Sequence, residues 1–200
     1  VASATLCGTG PTVLRATGNG TVFWYDAMTG GNLMATGNEA TLSNMAADKT
    51  YYAAMNDFTG TVPSASYTSG GTMTNFSNGR MYFDAEIPFI LEKATINVGT
   101  GGTMTVDLLD KNLSGNVIAS TVINVVPGVK EYMLNLPVPG AGKNYTLMVS
   151  AFGGGATAYR NNTANSAAYP LTIPHVASFT GNNGSTASAF YYFLYNLKVK

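Results

Sequence analysis

The feature that most constrains the fold is a series of short segments in which apolar and polar residues alternate. Val22 and Trp24 share one face of such a segment, and Ile96 and Val98 share another. The same spacing recurs in three later sets, namely Met104, Val106 and Leu108; Tyr132, Leu134 and Leu136; and Tyr145, Leu147 and Val149. A period of two is typical of β-strands with one buried face, and helical periodicity is nearly absent. The chain is therefore predicted to be all-β.

Turn-forming residues separate these segments at intervals of about ten residues, the rhythm of antiparallel sandwiches. Gly18-Asn-Gly20 and Thr29-Gly-Gly-Asn32 supply residues that tolerate a left-handed backbone. A stretch rich in Pro, Gly and hydroxyl residues, with few apolar side chains, covers residues 59–75. We therefore predict two antiparallel β-sandwich modules, residues 1–58 and residues 76–200, joined by an interdomain segment at 59–75.

Composition excludes several classes of function. Charged residues make up 10% of the chain, well below the roughly 25% of typical soluble domains. Lysine and arginine are scattered along the sequence, whereas nucleic-acid binding requires clustered cations. No run approaches the roughly 18 apolar residues of a membrane-spanning helix. A neutral surface made polar by Thr, Ser, Asn and Gly is typical of secreted bacterial β-proteins, so we expect an extracellular or cell-surface location.

Residue types that carry catalysis are sparse, and we predict that the chain is not an enzyme. His175 is the single histidine, and no Gly-x-Ser-x-Gly nucleophile motif is present. Asp84 and Glu86 lie two residues apart on one strand face, which leaves carboxylate-based hydrolysis open, although solvated surface charges are the commoner explanation. Cys7 is the single cysteine and has no neighbouring cation, which favours an inert thiol.

One loop has the beginning of a calcium-binding pattern. Asp110, Asn112 and Ser114 place oxygen ligands at positions one, three and five, and Gly115 occupies position six. The twelfth position is Thr121, where a calcium loop has glutamate. The same residues suit a plain hairpin turn between the flanking strands. A structural calcium ion and a plain turn both stay open, and no other cofactor is expected.

Aromatic residues beside amides or arginine are candidate contacts for carbohydrate, because ring faces stack on sugars and polar groups bind hydroxyls. Such residues are grouped late in the chain, and the predicted ligand-binding set is Tyr159, Arg160, Asn162, Tyr169, Tyr192 and Asn196. The first three are expected in a loop. Alternation over residues 190–199 is expected to turn Tyr192 and Asn196 outward. Alternatively, these tyrosines complete a core, with their hydroxyls at its rim.

Residues 5–55 carry a series of motifs in a recognisable order. The motifs are Thr5-Leu-Cys-Gly-Thr-Gly, Val13-Leu-Arg-Ala-Thr-Gly, Phe23-Trp-Tyr-Asp-Ala-Met-Thr-Gly-Gly, Ala35-Thr-Gly and Lys49-Thr-Tyr-Tyr52. This order resembles the Ig-like repeat of large secreted surface proteins of Bacteroidota, many of which are exported by the type IX system. The resemblance implies a spacer or display module without catalytic residues. Trp24 is then expected in the core, and Tyr51 or Tyr52 at a corner.

Residues 79–200 resemble, more loosely, a jelly-roll-like accessory domain found beside secreted hydrolases and adhesins. The marks of this resemblance are Gly79-Arg-Met-Tyr-Phe-Asp84, Tyr159-Arg-Asn-Asn162, Tyr169-Pro-Leu-Thr-Ile173 and Phe190-Tyr-Tyr-Phe-Leu-Tyr-Asn196. Relatives often carry tryptophan after the final asparagine, where this chain has Leu197. The predicted order is thus an Ig-like module followed by a jelly-roll-like module.

Two hypotheses of function follow. In the first, the chain is a non-catalytic segment of a longer surface protein, a structural or adhesive display module. Its partners are then neighbouring domains and, through edge strands, copies of itself. In the second, the chain is an accessory carbohydrate-binding module of a secreted hydrolase, and its partner is a polysaccharide.

Overall fold

The computed structural model describes residues 8–29, 31–55, 58–163, 169–186 and 189–200, which form strands and turns and no helix. The prediction of an all-β fold built from antiparallel sandwich modules is confirmed. The chain divides into two compact units, Val1–Phe58 and Thr59–Lys200. Within the described ranges, no helix is long and apolar enough to span a membrane. Cys7 lies outside the described residues.

The first unit contains five described strands in two antiparallel sheets. They are β1 Gly10–Arg15, β2 Val22–Tyr25, β3 Leu33–Thr36, β4 Glu39–Met45 and β5 Tyr52–Met55. Strands β1 and β4 form one sheet, and the other has the order β3-β2-β5. Trp24 is 1% exposed and packs with Val22, Ala16 and Ala40, so residues of both sheets share one core. Its indole nitrogen donates a hydrogen bond of 2.8 Å to the carbonyl of Gly37.

Tyr51 is the tyrosine that folds back at the corner before β5. Its hydroxyl donates to Sδ of Met45 at 3.6 Å, and the Lys49 ammonium lies 5.2 Å from its ring centroid. Tyr52, the other candidate, is 36% exposed. The hydroxyl thus ties the start of β5 to the end of β4.

The second unit is a β-sandwich of two larger antiparallel sheets. Its strands are β6 Gly60–Thr61, β7 Gly71–Thr74, β8 Arg80–Ala85, β9 Phe89–Val98, β10 Gly102–Leu109, β11 Val117–Val125, β12 Gly128–Val138, β13 Gly142–Gly153, β14 Ala158–Asn161, β15 Leu171–Ile173, β16 Ala177–Asn182, β17 Tyr191–Tyr192 and β18 Tyr195–Val199. One sheet has the order β11-β10-β13-β8-β16-β15. The other has the order β17-β14-β9-β18-β6, with β12 paired to β9 and β7 paired to β14. The chain crosses repeatedly from one sheet to the other, consistent with a jelly-roll-like sandwich.

Aromatic rings fill the centre of this second core. Phe83 of β8 stacks on Phe179 and Tyr145, with ring centroids 4.9 and 5.4 Å away. Phe89, from the opposite sheet, lies 6.2 Å from the same ring. The alternating set Met104, Val106 and Leu108 is fully buried. The period of two therefore identified core positions of this sheet correctly.

The segment expected to link two domains belongs instead to the second unit. Strand β6 pairs with β18, and β7 pairs with β14. The amide of Val62 also donates to the carbonyl of Leu197 at 2.8 Å. Low apolar content suggested a linker, but backbone pairing can hold a polar segment in a sheet where its side chains contribute little burial.

Replacing Phe83 with alanine should lower the free energy of unfolding by about 3–5 kcal/mol, the usual cost of deleting a buried aromatic ring. Urea denaturation followed by far-UV circular dichroism measures this loss. Met133→Ala is the matched control, because that side chain is 47% exposed, and its effect should stay within about 0.5 kcal/mol. Equal effects of the two substitutions would contradict the assignment of Phe83 to the core.

Candidate functional site

Tyr159 and Arg160 lie in strand β14, so the expectation of a loop was wrong for these two residues, whereas Asn162 follows the strand in a bend. Strand β14 pairs on one side with β7 and on the other with β17. Arg160 therefore lies directly between Thr72 and Tyr192 in register. These two pairings satisfy the backbone of a polar segment that has no alternating apolar pattern of its own, so local periodicity did not predict this strand.

The two faces of β14 have different environments. Asn161 is 3% exposed and Tyr191, its partner in register, is fully buried, so this face lies on the core. Arg160, Tyr192 and Thr72 lie on the opposite face, because neighbours in register share a side of the sheet. Arg160 is half-buried and Thr72 is exposed. The outward face of this sheet edge thus carries a row of arginine, tyrosine and threonine.

Two phenylalanines flank the guanidinium of Arg160. The guanidinium carbon lies 4.6 Å from the ring centroid of Phe190 and 5.8 Å from that of Phe76. Its Nε donates a hydrogen bond of 2.9 Å to Oδ1 of Asn162. These four residues, Phe76, Arg160, Asn162 and Phe190, are called the arginine platform below. Cation–π contacts of this kind hold a guanidinium in one place on a surface.

The positive charge of the platform is not balanced by an acidic side chain of the same unit. Every carboxylate residue of the second unit is described, and the set is Asp84, Glu86, Glu92, Asp107, Asp110 and Glu131. Glu131 pairs with Lys93 and Lys198, and Glu92 pairs with Lys200. Among the described residues, no ion pair involves Arg160. The half-buried guanidinium of Arg160 is thus not neutralised by a described carboxylate.

Two hydrogen bonds to the carbonyl oxygen of Phe190 hold this residue in place. The hydroxyl of Tyr169 donates at 3.1 Å, and Nδ2 of Asn182 donates at 2.7 Å. The ring of Tyr169 stacks on Tyr191 with centroids 6.3 Å apart. Burial raises the pKa of Tyr169 well above its usual range, so the hydroxyl keeps its proton as a donor. Tyr169 therefore positions the platform.

Asn161 and the hydroxyl of Tyr195 anchor the strand that carries Arg160. The hydroxyl accepts from the amide of Asn161 and donates to the carbonyl of Tyr159, each at 3.0 Å. Nδ2 of Asn161 donates to the carbonyls of Ser66 and Ser69, at 2.7 and 3.1 Å. One buried amide side chain thus holds the 66–69 loop against β14.

The structure brings some of the predicted ligand-binding residues together and separates others. Arg160 and Asn162 lie on the platform, and Tyr192 lies beside it. Tyr192 lies on the outward face as expected, but it is only 3% exposed and is therefore not an accessible ring. Phe76 and Phe190 cover it at 6.1 and 5.8 Å between ring centroids.

The backbone at Gly79 also lies against Tyr192, since a Cβ there would clash with the ring. Tyr159 is 7% exposed and belongs to the core, so it too is not an accessible ring. Asn196 lies on a different strand, where its Oδ1 accepts from Ser64 Oγ at 2.9 Å and its φ is 45°. Asn196 is therefore not one of the platform residues.

Sequence reasoning missed Phe76 and Phe190 as platform residues. Phe76 is the one aromatic residue within the polar segment 68–79, and it is 39% exposed. An aromatic ring in an otherwise polar turn segment was the available signal for it. Phe190 had no such signal, because it adjoins a run of core aromatics.

The predicted calcium residues form the turn between β10 and β11. Oδ1 of Asp110 accepts from the amide of Lys111 at 2.8 Å, and Ser114 Oγ accepts from the amide of Asn116 at 3.2 Å. Asn112 has a φ of 62°. Within the described ranges, no group of three or more His, Cys, Asp or Glu could hold a metal ion. Calcium binding by Asp110, Asn112 and Ser114 stays a prediction.

The remaining residues that were considered for catalysis are His175, Asp84 and Glu86. His175 lies in the turn between β15 and β16 with a φ of 62°. Asp84 Oδ1 accepts from the amide of Asn144 at 2.9 Å, and Glu86 is exposed. Asp84 thus holds a neighbouring strand, and Glu86 is a solvated charge.

Comparison with known proteins bears on the first unit. A family model described as "Ig-like domain CHU_C associated" matches residues 1–72. The first unit is thus similar to an Ig-like domain of this family. The match runs past Phe58 and includes β6 and the first two residues of β7 in the second unit. Neither the curated proteins nor the solved structures gave a significant match.

Alkaline pH should destabilise the chain, because burial raises the pKa of Tyr195 above that of an unfolded tyrosine. The unfolded tyrosine loses its proton near pH 10 while the folded one keeps it, so stability falls as pH rises beyond about 10. The loss should reach about 1.4 kcal/mol per pH unit for such a group.

Tyr195→Phe should flatten this slope and cost about 1–2 kcal/mol at neutral pH through its lost hydrogen bonds. Urea denaturation between pH 7 and 11 measures both effects. Identical slopes for the variant and the parent chain would show that Tyr195 does not contribute.

Proposed function

We propose that the chain is a non-catalytic display module of a bacterial surface or extracellular protein exported by the type IX system. The observation that carries this proposal is the Ig-like family match over residues 1–72. Ig-like sandwiches serve many proteins as repeated spacers, and their function depends on the sites that they carry. In the second unit, the candidate carboxylate Asp84 is engaged in a structural hydrogen bond with the amide of Asn144, and Glu86 beside it is exposed.

The two units have different tasks in this proposal. The Ig-like unit is a spacer, and the second unit provides the adhesive contact. Support comes from the arginine platform, which combines an exposed ring with a cation that no carboxylate of its unit neutralises. Neighbouring domains of a longer chain are the expected covalent partners.

Antibodies against the purified chain should label intact cells that produce the parent protein. Protease treatment of intact cells should remove the label, because a displayed module is accessible from outside. A cytoplasmic protein labelled in the same cells is the control. Labelling that requires permeabilised cells would contradict surface display.

Strand β11 supports assembly of the chain with a second copy of itself. It is an edge strand of nine residues, Val117–Val125, without a charged residue or proline. Val117, Ile118 and Val122 are 54%, 40% and 65% exposed. Natural edge strands usually carry charges, bulges or proline that prevent pairing. Of these features β11 has only a register shift at Ile118, near its start.

Two other edge strands of the second unit are better protected, and this favours β11 over them as the pairing strand. Strand β15 has three residues and is followed by Pro174, and β12 carries Lys130 and Glu131. Antiparallel pairing of two β11 strands about Thr121 would bring no like charges together. A second copy is therefore the partner that this edge suits.

The unsubstituted chain should dimerise as its concentration rises. The Val122→Lys substitution should shift this equilibrium to the monomer. The added ammonium groups would lie close together across the twofold axis, where like charges disfavour pairing. Sedimentation velocity measures both states. Val13→Lys, at an exposed position in the first unit, is the control. A parent chain that stays monomeric at all concentrations would contradict assembly through β11.

A carbohydrate-binding accessory module is the second candidate function, and the arginine platform is the observation that favours it. An exposed phenylalanine beside an arginine and an asparagine offers a stacking surface and hydrogen-bond donors together. Retention on insoluble polysaccharides, with and without calcium, separates this function from a purely structural role. No retention on any polysaccharide would leave display as the function.

A further inference from the structure

We propose that the arginine platform binds a carboxylate-bearing sugar, that is, a uronate residue of an acidic polysaccharide. This inference rests on the proposed contact role of the second unit and names the class of ligand. It is carried by the charge, the exposure and the rigid support of Arg160, Phe76, Asn162 and Phe190.

The guanidinium of Arg160 has hydrogen-bonding capacity to spare. Its Nε donates to Asn162, while its terminal amino groups make no hydrogen bond to any described residue. The guanidinium carbon lies over both phenylalanine rings, 4.6 Å from the centroid of Phe190 and 5.8 Å from that of Phe76. A planar carboxylate can accept two parallel hydrogen bonds from such a group, which is the strongest common pairing of arginine.

The surroundings of Arg160 suit a sugar ring as the carrier of that carboxylate. Phe76 is 39% exposed, so one part of its ring is open to the apolar C–H face of a pyranose. Nδ2 of Asn162 and the hydroxyl of Thr72 are 3.4 Å apart. This long hydrogen bond can exchange for bonds to sugar hydroxyls at small cost. Cation, ring and polar groups therefore match the parts of a uronate.

The charge of the platform favours a carboxylate over a phosphate or a sulfated glycan. Arg160 is the one cation that contacts the rings of Phe76 and Phe190 among the described residues. A single guanidinium matches a singly charged planar anion. Dianionic phosphates and densely sulfated sugars are usually held by several cations together.

The platform is held in place before a ligand arrives. The carbonyl of Phe190 accepts from Tyr169 and Asn182, and the strand of Arg160 is anchored by the Tyr195 hydroxyl. Side chains that are already fixed lose little conformational entropy on binding, which favours affinity for a given set of contacts. This support separates the platform from an arginine that is free on the surface.

The test compares two forms of one polymer, de-esterified polygalacturonate and the same polymer with its carboxyl groups methyl-esterified. Isothermal titration calorimetry on the full chain measures binding of oligomers of each form at low and at high salt. A sulfated polysaccharide and a neutral glucan complete the set of probes. We expect binding to the de-esterified polymer, weakening with salt, and at least about tenfold weaker binding to the other three, as expected for loss of a charge-assisted pair.

Three variants locate the binding. Arg160→Gln should weaken binding to de-esterified polygalacturonate about tenfold to a hundredfold, the range expected for losing hydrogen bonds to a charged group. Phe76→Ala should weaken this binding several-fold. Because Phe76 is exposed, this substitution should disturb folding less than a substitution in the core. Lys130→Gln removes the same charge from an exposed position on β12 and should leave the affinity unchanged. Circular dichroism checks the fold of each variant.

Two results would overturn the inference. Equal affinity for the esterified and de-esterified polymers would show that the carboxylate is not recognised, although the second unit would remain a glycan-binding module. If the folded Phe76→Ala variant and the folded Arg160→Gln variant both bind with wild-type affinity, binding occurs elsewhere. Absence of binding to all four probes would also overturn it, while surface labelling of intact cells would still decide the display function separately.

Discussion

The buried amide of Asn161 is the interaction on which the arrangement of the second unit's surface depends. Its side chain donates to two carbonyls of the 66–69 loop and accepts from the amide of Thr163 at 2.8 Å. Leaving such a group unsatisfied in the core costs about 1–3 kcal/mol per partner. The loop, strand β14 and the turn after it are therefore fixed together. Arg160 precedes Asn161, so the position of its side chain follows from that network.

The same network explains why a segment with few apolar residues is nevertheless ordered. Residues 59–75 contribute little burial, but the carbonyls of Ser66, Tyr67 and Ser69 accept from Asn161 and Asn97. Hydrogen bonds from buried amides replace the apolar contacts that usually anchor a strand. This arrangement suits a chain whose polarity comes from Asn, Ser and Thr, because these side chains can make such bonds without a charge.

Alternation identified the core where a strand has one buried face, and failed where both faces are covered. Met104, Val106 and Leu108 are buried as their spacing predicts. Over residues 190–199, Leu194 and Tyr192 are buried as fully as their neighbours. The strand is also interrupted between β17 and β18, where Phe193 has a φ of 59°. The alternation within one strand does not show which residues from other segments cover its outward face. Here Phe76 and Phe190 cover Tyr192.

For the candidate site, sequence reasoning supplied Arg160 and Asn162 but could not supply their surroundings. The platform depends on Phe76, which lies 84 positions earlier by its number and reaches Arg160 through the pairing of β7 with β14. Pairing between strands distant in sequence has no local signature in a single chain. What composition does report is the sparseness of charge, ten cations and ten anions in 200 residues. In such a chain most carboxylates of the second unit already form hydrogen bonds or ion pairs with other residues. None of them therefore neutralises the positive charge of Arg160 at the surface.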